Sequence, residues 1–190
     1  MAPVSVLYLL WDAWIVSWIV AAVWSARTIA RPEIGPVIFY RTFMIGGGIV
    51  LFFYSSPAEP GPSWNVATGL GWTMVVLAAI GLFFTWWARI HLGRFWSGSV
   101  ARKTDHRIIE SGPYRLVRHP IYTGIIFACY ASAIAKGTLL ALAGASAMFI
   151  GCYTKARLEE RFLRAELGLR QYDSYAERVP MLVPFARAKA

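Results

Sequence analysis

The sequence predicts an all-α integral membrane protein of about five membrane helices, the last two forming a short C-terminal hairpin, with its polar groups gathered in one loop and a tail. Three observations predict this. Of 190 residues, 57% are hydrophobic and only 15% charged, against roughly 25% charged in soluble chains. The apolar residues fall into long runs, at 4–24, 36–54, 66–87, 121–135 and 138–153. If five helices alternate across the bilayer, eighteen of the nineteen Lys and Arg residues lie on one side, a strong positive-inside pattern.

The first three runs match the roughly 20 residues that a bilayer span requires. The first lacks a basic leader and a small-residue cleavage site, so it is expected to stay in the mature protein. Runs four and five are shorter and joined only by Lys136 and Gly137, which makes them antiparallel neighbours, tilted or sheltered by the other helices. No repeat or linker divides the chain, and residues 1–190 are expected to form one domain. Cys129 and Cys152 lie inside apolar runs, without CxxC spacing or histidine neighbours, so no metal site or disulfide framework is expected. The net charge of +9 tracks topology and anionic membrane lipid, not nucleic acid. It places the N-terminus outside, and the loop at 93–119 and the C-terminus in the cytoplasm.

The stretch "LVRHPIYTGIIF" at 116–127 loads Arg118 and His119 against the start of the fourth helix. Pro120 suits the first helical turn. Cations there oppose the helix dipole and point to something anionic docking at that end. His106, Tyr114, Arg118, His119 and Tyr122 crowd into seventeen residues, and Glu159 and Glu160 follow the fifth run. The tight hairpin must bring these two groups together, which predicts a polar pocket at the cytoplasmic interface. Beyond 155, "KARLEERFLRAELG" reads as an amphipathic helix stopped at Gly168, followed by a short turn carrying Tyr172 and Tyr175 on one side. Adjacent helical residues point about 100° apart, so only one of the two glutamates faces the pocket fully. Glu159 lies about 40° from Leu163 and Glu160 about 160° from Phe162. Glu159 is expected to face inward, and Glu160 to lie nearer the exposed edge.

"HRIIESGPYRLVRHPIYTG", followed after one hairpin by "EE", then "LG", "QYDSY" and "RVPMLVP", resembles the isoprenylcysteine carboxyl methyltransferase family, with its phospholipid-methyltransferase relatives. The resemblance covers 92–184, and helices within 1–54 fall outside it. It implies that S-adenosylmethionine is held in a cytoplasmic pocket while a lipophilic or prenylated acceptor arrives from the membrane. The donor contacts it implies are His106, Ile108, Ile109, Tyr114, His119, Pro120, Tyr122 and Glu159, with Glu160 beside them. The catalytic candidates are Arg118, Lys155 and Arg157. Where the family has an arginine one turn before the glutamate, this chain has Lys155, a point charge and not a bidentate fork, with Arg157 as the alternative cation. The expected reaction is carboxyl O-methylation of an isoprenylcysteine-like acceptor. The alternatives are a phospholipid amine or thiol methyltransferase, an NADPH-dependent sterol-type reductase with a related HPxY corner, and a non-catalytic membrane scaffold.

Overall fold

The computed structural model describes residues 1–24, 28–30, 34–55, 61–93, 96, 102–103, 109–167 and 169–186. Among the described residues there are six α-helices: α1 (Pro3–Ala21), α2 (Ile34–Phe53), α3 (Thr68–Leu92), α4 (Pro120–Lys136), α5 (Leu139–Leu167) and α6 (Leu169–Arg178). The helices α1, α2, α3 and α5 are long and apolar enough to cross a membrane, and α4 is a shorter apolar helix. A two-stranded ribbon accompanies the helices, which no apolar run predicts. There β1 (Thr28–Ala30) pairs antiparallel with β2 (Arg102–Lys103) and ties the first connection to the third.

Proline and glycine set the limits of α4. Pro120 occupies its first turn, and Gly137, at φ 67°, ends it with an N–H donated to Ala133 and Ile134 carbonyls, a left-handed cap. The fifth run and the amphipathic segment after it are continuous. They form one helix of 29 residues, about 44 Å long, so it outruns the roughly 30 Å hydrocarbon core and carries Glu159 and Glu160 beyond the apolar run. Gly168, the expected stop, lies outside the described residues.

Helices α2 and α5 pack antiparallel, as do α3 and α4, through glycines that let backbones touch. A Cβ on Gly47 would stand 2.7 Å from the Gly144 carbonyl oxygen, and one on Gly81 2.8 Å from that of Gly124. At one end of the bundle Trp64 N–H donates to Gly137 O at 2.8 Å and Leu139 N–H to Pro62 O at 2.9 Å. The second connection therefore meets the hairpin tip, as alternating helices require. The opposite end holds the polar cluster.

Three buried cations each close the C-terminal end of a helix, where unpaired carbonyls and the negative dipole end collect. Arg89 donates to Ala21 O at 2.7 Å and Trp24 O at 3.0 Å, after α1. Lys136 donates to Leu51 O at 2.6 Å and Phe52 O at 3.3 Å, at the end of α2. Arg118 donates to Ala176 O at 2.8 Å and Val179 O at 2.5 Å, at the end of α6.

Candidate functional site

The corner between residue 118 and the start of α4 is held by the tail. Arg118 N–H donates to Pro180 O at 2.9 Å, His119 N–H to Met181 O at 3.1 Å, and the Thr123 hydroxyl to Leu182 O at 2.7 Å. The Tyr175 hydroxyl donates to Tyr114 O at 2.7 Å, fixing the 3-10 turn Gly112–Arg115 to α6. Residues 172–182 thus cover the basic end of the bundle as a strap.

Beneath it, four charged groups interlock. Arg118 Nε donates to Glu160 Oε1 at 2.7 Å, and His119 Nε2 meets the same oxygen at 3.2 Å. His119 Nδ1 stands 3.6 Å from Glu159 Oε2. The Tyr122 hydroxyl donates to Glu159 Oε1 at 2.7 Å, and its ring stacks beside His119 with centroids 5.6 Å apart. Burial lowers the His119 pKa, but contacts with both glutamates outweigh it and hold the imidazole above its ordinary value. With a carboxylate at each nitrogen, the protonated ring is favoured. Burial, reinforced by Glu159, pushes the Tyr114 phenol far up, so it stays a neutral donor.

The expected anion at the start of α4 is therefore supplied by the chain itself. Glu160 is 1% exposed, contrary to the expectation that it lies nearer the exposed edge. The helix is not rotated from the expected orientation. Glu160 extends the row Met148, Cys152, Ala156 at four-residue spacing, with Cys152 and Ala156 fully buried, and the strap covers its far side. Glu159 keeps 21% of its side chain exposed.

Lys155 is buried, with Nζ 5.3 Å from the Tyr122 ring centroid and 5.7 Å from that of Tyr40. Arg157 is exposed. Tyr114, Arg118, His119, Pro120, Tyr122, Lys155, Glu159 and Glu160 converge at this end, and Ile109 is half-buried next to the 3-10 turn. His106 and Ile108 lie outside the described residues. Sequence reasoning missed Tyr40 of α2, which packs on Leu158. Its signal was the triplet Gly46, Gly47 and Gly48, which marks α2 for close helix contact. It also missed Arg118 as the cap of α6. Among the described residues, no group of three or more His, Cys, Asp or Glu could hold a metal ion.

The isoprenylcysteine carboxyl methyltransferase (ICMT) family matches residues 72–166, a segment containing α4, most of α3 and α5, and all four interlocked charges. The chain is 32% identical over 121 residues to protein-S-isoprenylcysteine O-methyltransferase B of Arabidopsis thaliana, covering 62% of this chain and 59% of that protein. It is 28% identical over 176 residues to methanethiol S-methyltransferase 1 of Bradyrhizobium diazoefficiens, covering 87% of this chain and 59% of that protein. A methanethiol S-methyltransferase from a Pseudomonas species is 31% identical over 141 residues, 65% of this chain and 50% of that protein. The chain thus spans less than two thirds of each of these relatives. With half of its length matched, including the histidine corner, the hairpin and the paired glutamates, the chain belongs to the isoprenylcysteine carboxyl methyltransferase family.

Proposed function

We propose that the protein transfers a methyl group from S-adenosylmethionine to a lipophilic acceptor at the membrane interface, with the basic end of the bundle in the cytoplasm. The observation that carries this reading is the asymmetry of the polar corner. Glu159 presents a partly open carboxylate, and Lys155, one turn earlier on α5, presents a buried ammonium against the Tyr122 and Tyr40 rings. S-adenosylmethionine fits that donor set. Its positive charges suit Glu159, already oriented by Tyr122, and the Tyr122 ring offers an aromatic face for a cationic group. When bound, it supplies an electrophilic methyl group and leaves as a neutral thioether once the acceptor's lone pair has taken that methyl.

The residues of the chain bind, orient and exclude water. Tyr114, Tyr122 and Glu159 would hold the donor. Arg118 and Glu160 act as positioning residues, since their contacts fix His119 and the strap. An anionic acceptor needs no base, so catalysis rests on alignment and desolvation. Carboxyl O-methylation of an isoprenylcysteine-like acceptor is the first reading. S-methylation of a small thiol, reacting as the thiolate after its S–H proton has passed to water, is the second, favoured because the methanethiol enzyme aligns over more of the chain and because Lys155 is a single point charge.

The test is transfer of isotopically labelled methyl from S-adenosylmethionine by the full chain in lipid vesicles. S-farnesylcysteine and methanethiol are offered separately. Label in the farnesylated ester or in dimethyl sulfide is expected. Label in neither product, from protein that binds S-adenosylhomocysteine, would overturn both acceptor readings.

A further inference from the structure

We infer that the Tyr40 hydroxyl, acting with the Lys155 ammonium, binds the anionic group of the methyl acceptor. This rests on the proposed methyl transfer and names how its acceptor is recognised. Tyr40 is 1% exposed, yet its hydroxyl has no hydrogen-bond partner. A buried donor without a partner is rare in a folded protein and marks a place where a ligand completes the set. The Lys155 ammonium sits against the same ring and against Tyr122. A cation beside an unsatisfied hydroxyl selects an anion, because the hydroxyl donates and the ammonium supplies charge.

Tyr40 brings a further helix to the corner. Tyr40 belongs to α2, whose neighbouring Ile38 and Phe39 are exposed on the bundle surface at 60% and 49%, on an apolar face of a membrane helix. The donor contacts Tyr114, Tyr122 and Glu159 come from the third connection, α4 and α5, and Lys155 lies one turn before Glu159 on α5. An acceptor anion at this corner would lie between Tyr40 of α2 and Lys155 of α5. Two donors on different helices would then hold a carboxylate, or a thiolate, between them. Lysine alone, with one charge on a flexible stem, would leave the anion poorly oriented. Glu159 is not a competing partner for Tyr40, since Tyr122 and His119 occupy it.

Tyr40→Phe removes only the hydroxyl. Calorimetry would be carried out on the full chain saturated with S-adenosylhomocysteine, titrated with S-farnesylcysteine in one arm and ethanethiol in the other. For whichever probe binds the unaltered protein, a loss of tenfold or more is expected in Tyr40→Phe, the usual consequence of losing a hydrogen bond to a charged group. The melting temperature and the affinity for S-adenosylhomocysteine should not change, because the hydroxyl has no partner to lose. Unchanged probe affinity would overturn the inference while leaving the methyltransferase reading intact. Weakened S-adenosylhomocysteine binding would move Tyr40 to the donor side and overturn it as well. So would a lowered melting temperature, or failure of both probes to bind protein that holds S-adenosylhomocysteine. Failure of S-adenosylhomocysteine itself to bind the unaltered protein would instead sink the methyltransferase reading.

Discussion

At Glu160 one carboxylate oxygen meets both Arg118 and His119 behind the strap, so Glu160→Gln leaves buried Arg118 without its carboxylate and His119 with Glu159 alone. Breaking a buried pair on one side typically costs about 3 to 5 kcal/mol. The predicted outcome is a large fall in the detergent melting temperature. Glu159→Gln, at a partly open carboxylate, should keep the fold and lose ligand binding instead. Equal melting temperatures for the two variants would contradict this division. His119 adds a pH dependence, because its folded pKa is raised above the ordinary 6.5. Its contribution to stability is fully present below 6.5 and is lost as pH rises through the folded value. The charged groups facing it are Arg118, Glu159 and Glu160. Melting curves from pH 6 to 9 should show stability declining with pH, and His119→Asn should flatten that decline. A decline of the same size in the variant would assign it to another group.

Among the helices, the consecutive glycines of α2 give a sharp comparison. A Cβ on Gly47 would collide with α5 backbone at 2.7 Å, whereas one on Gly46 meets nothing within 4 Å and one on Gly48 only Met148 sulfur at 3.9 Å. Gly47→Ala should therefore lower stability by about 1 to 3 kcal/mol, the usual cost of overpacking, with Gly46→Ala and Gly48→Ala neutral or better. A matching loss in all three would mean that α2 is not seated on α5 by this face. The five apolar helices, the Gly137 turn and the approach of Tyr122 to Glu159 were legible in the sequence, because hydrophobic length and a two-residue link dictate them. The burial of Glu160 was not, because the strap that covers it comes from the tail, residues 172–182. The residues that precede Glu160 in its row, Cys152 and Ala156, are small and carry little hydrophobic signal. The role of Arg118 as the cap of α6 is not legible in the sequence, because the carbonyls of Ala176 and Val179 that it meets are backbone groups that no side-chain pattern records. Tyr40 was invisible for a similar reason. It enters the site only through the packing of α2 on α5, a contact between segments far apart in the chain.

Across the whole molecule, the second connection meets the hairpin tip at one end, and the strap closes the other over the charged corner. Single cysteines at the exposed Ser63 and Ser111, with buried Cys129 and Cys152 replaced, should label from opposite sides of oriented vesicles, Ser111 from the cytoplasmic face. Labelling of both from one side would break the alternation of helices that brings the corner together. The donor site itself is tested most directly by calorimetry of the detergent-solubilised full chain with S-adenosylhomocysteine, with NADPH as the contrasting ligand. Saturable binding of S-adenosylhomocysteine alone is predicted, weakened at least tenfold in a folded Glu159→Gln variant, as expected for a lost contact to a charged ligand group. Binding of NADPH in its place, or S-adenosylhomocysteine affinity indifferent to Glu159→Gln, would contradict a methyl-donor site at this corner.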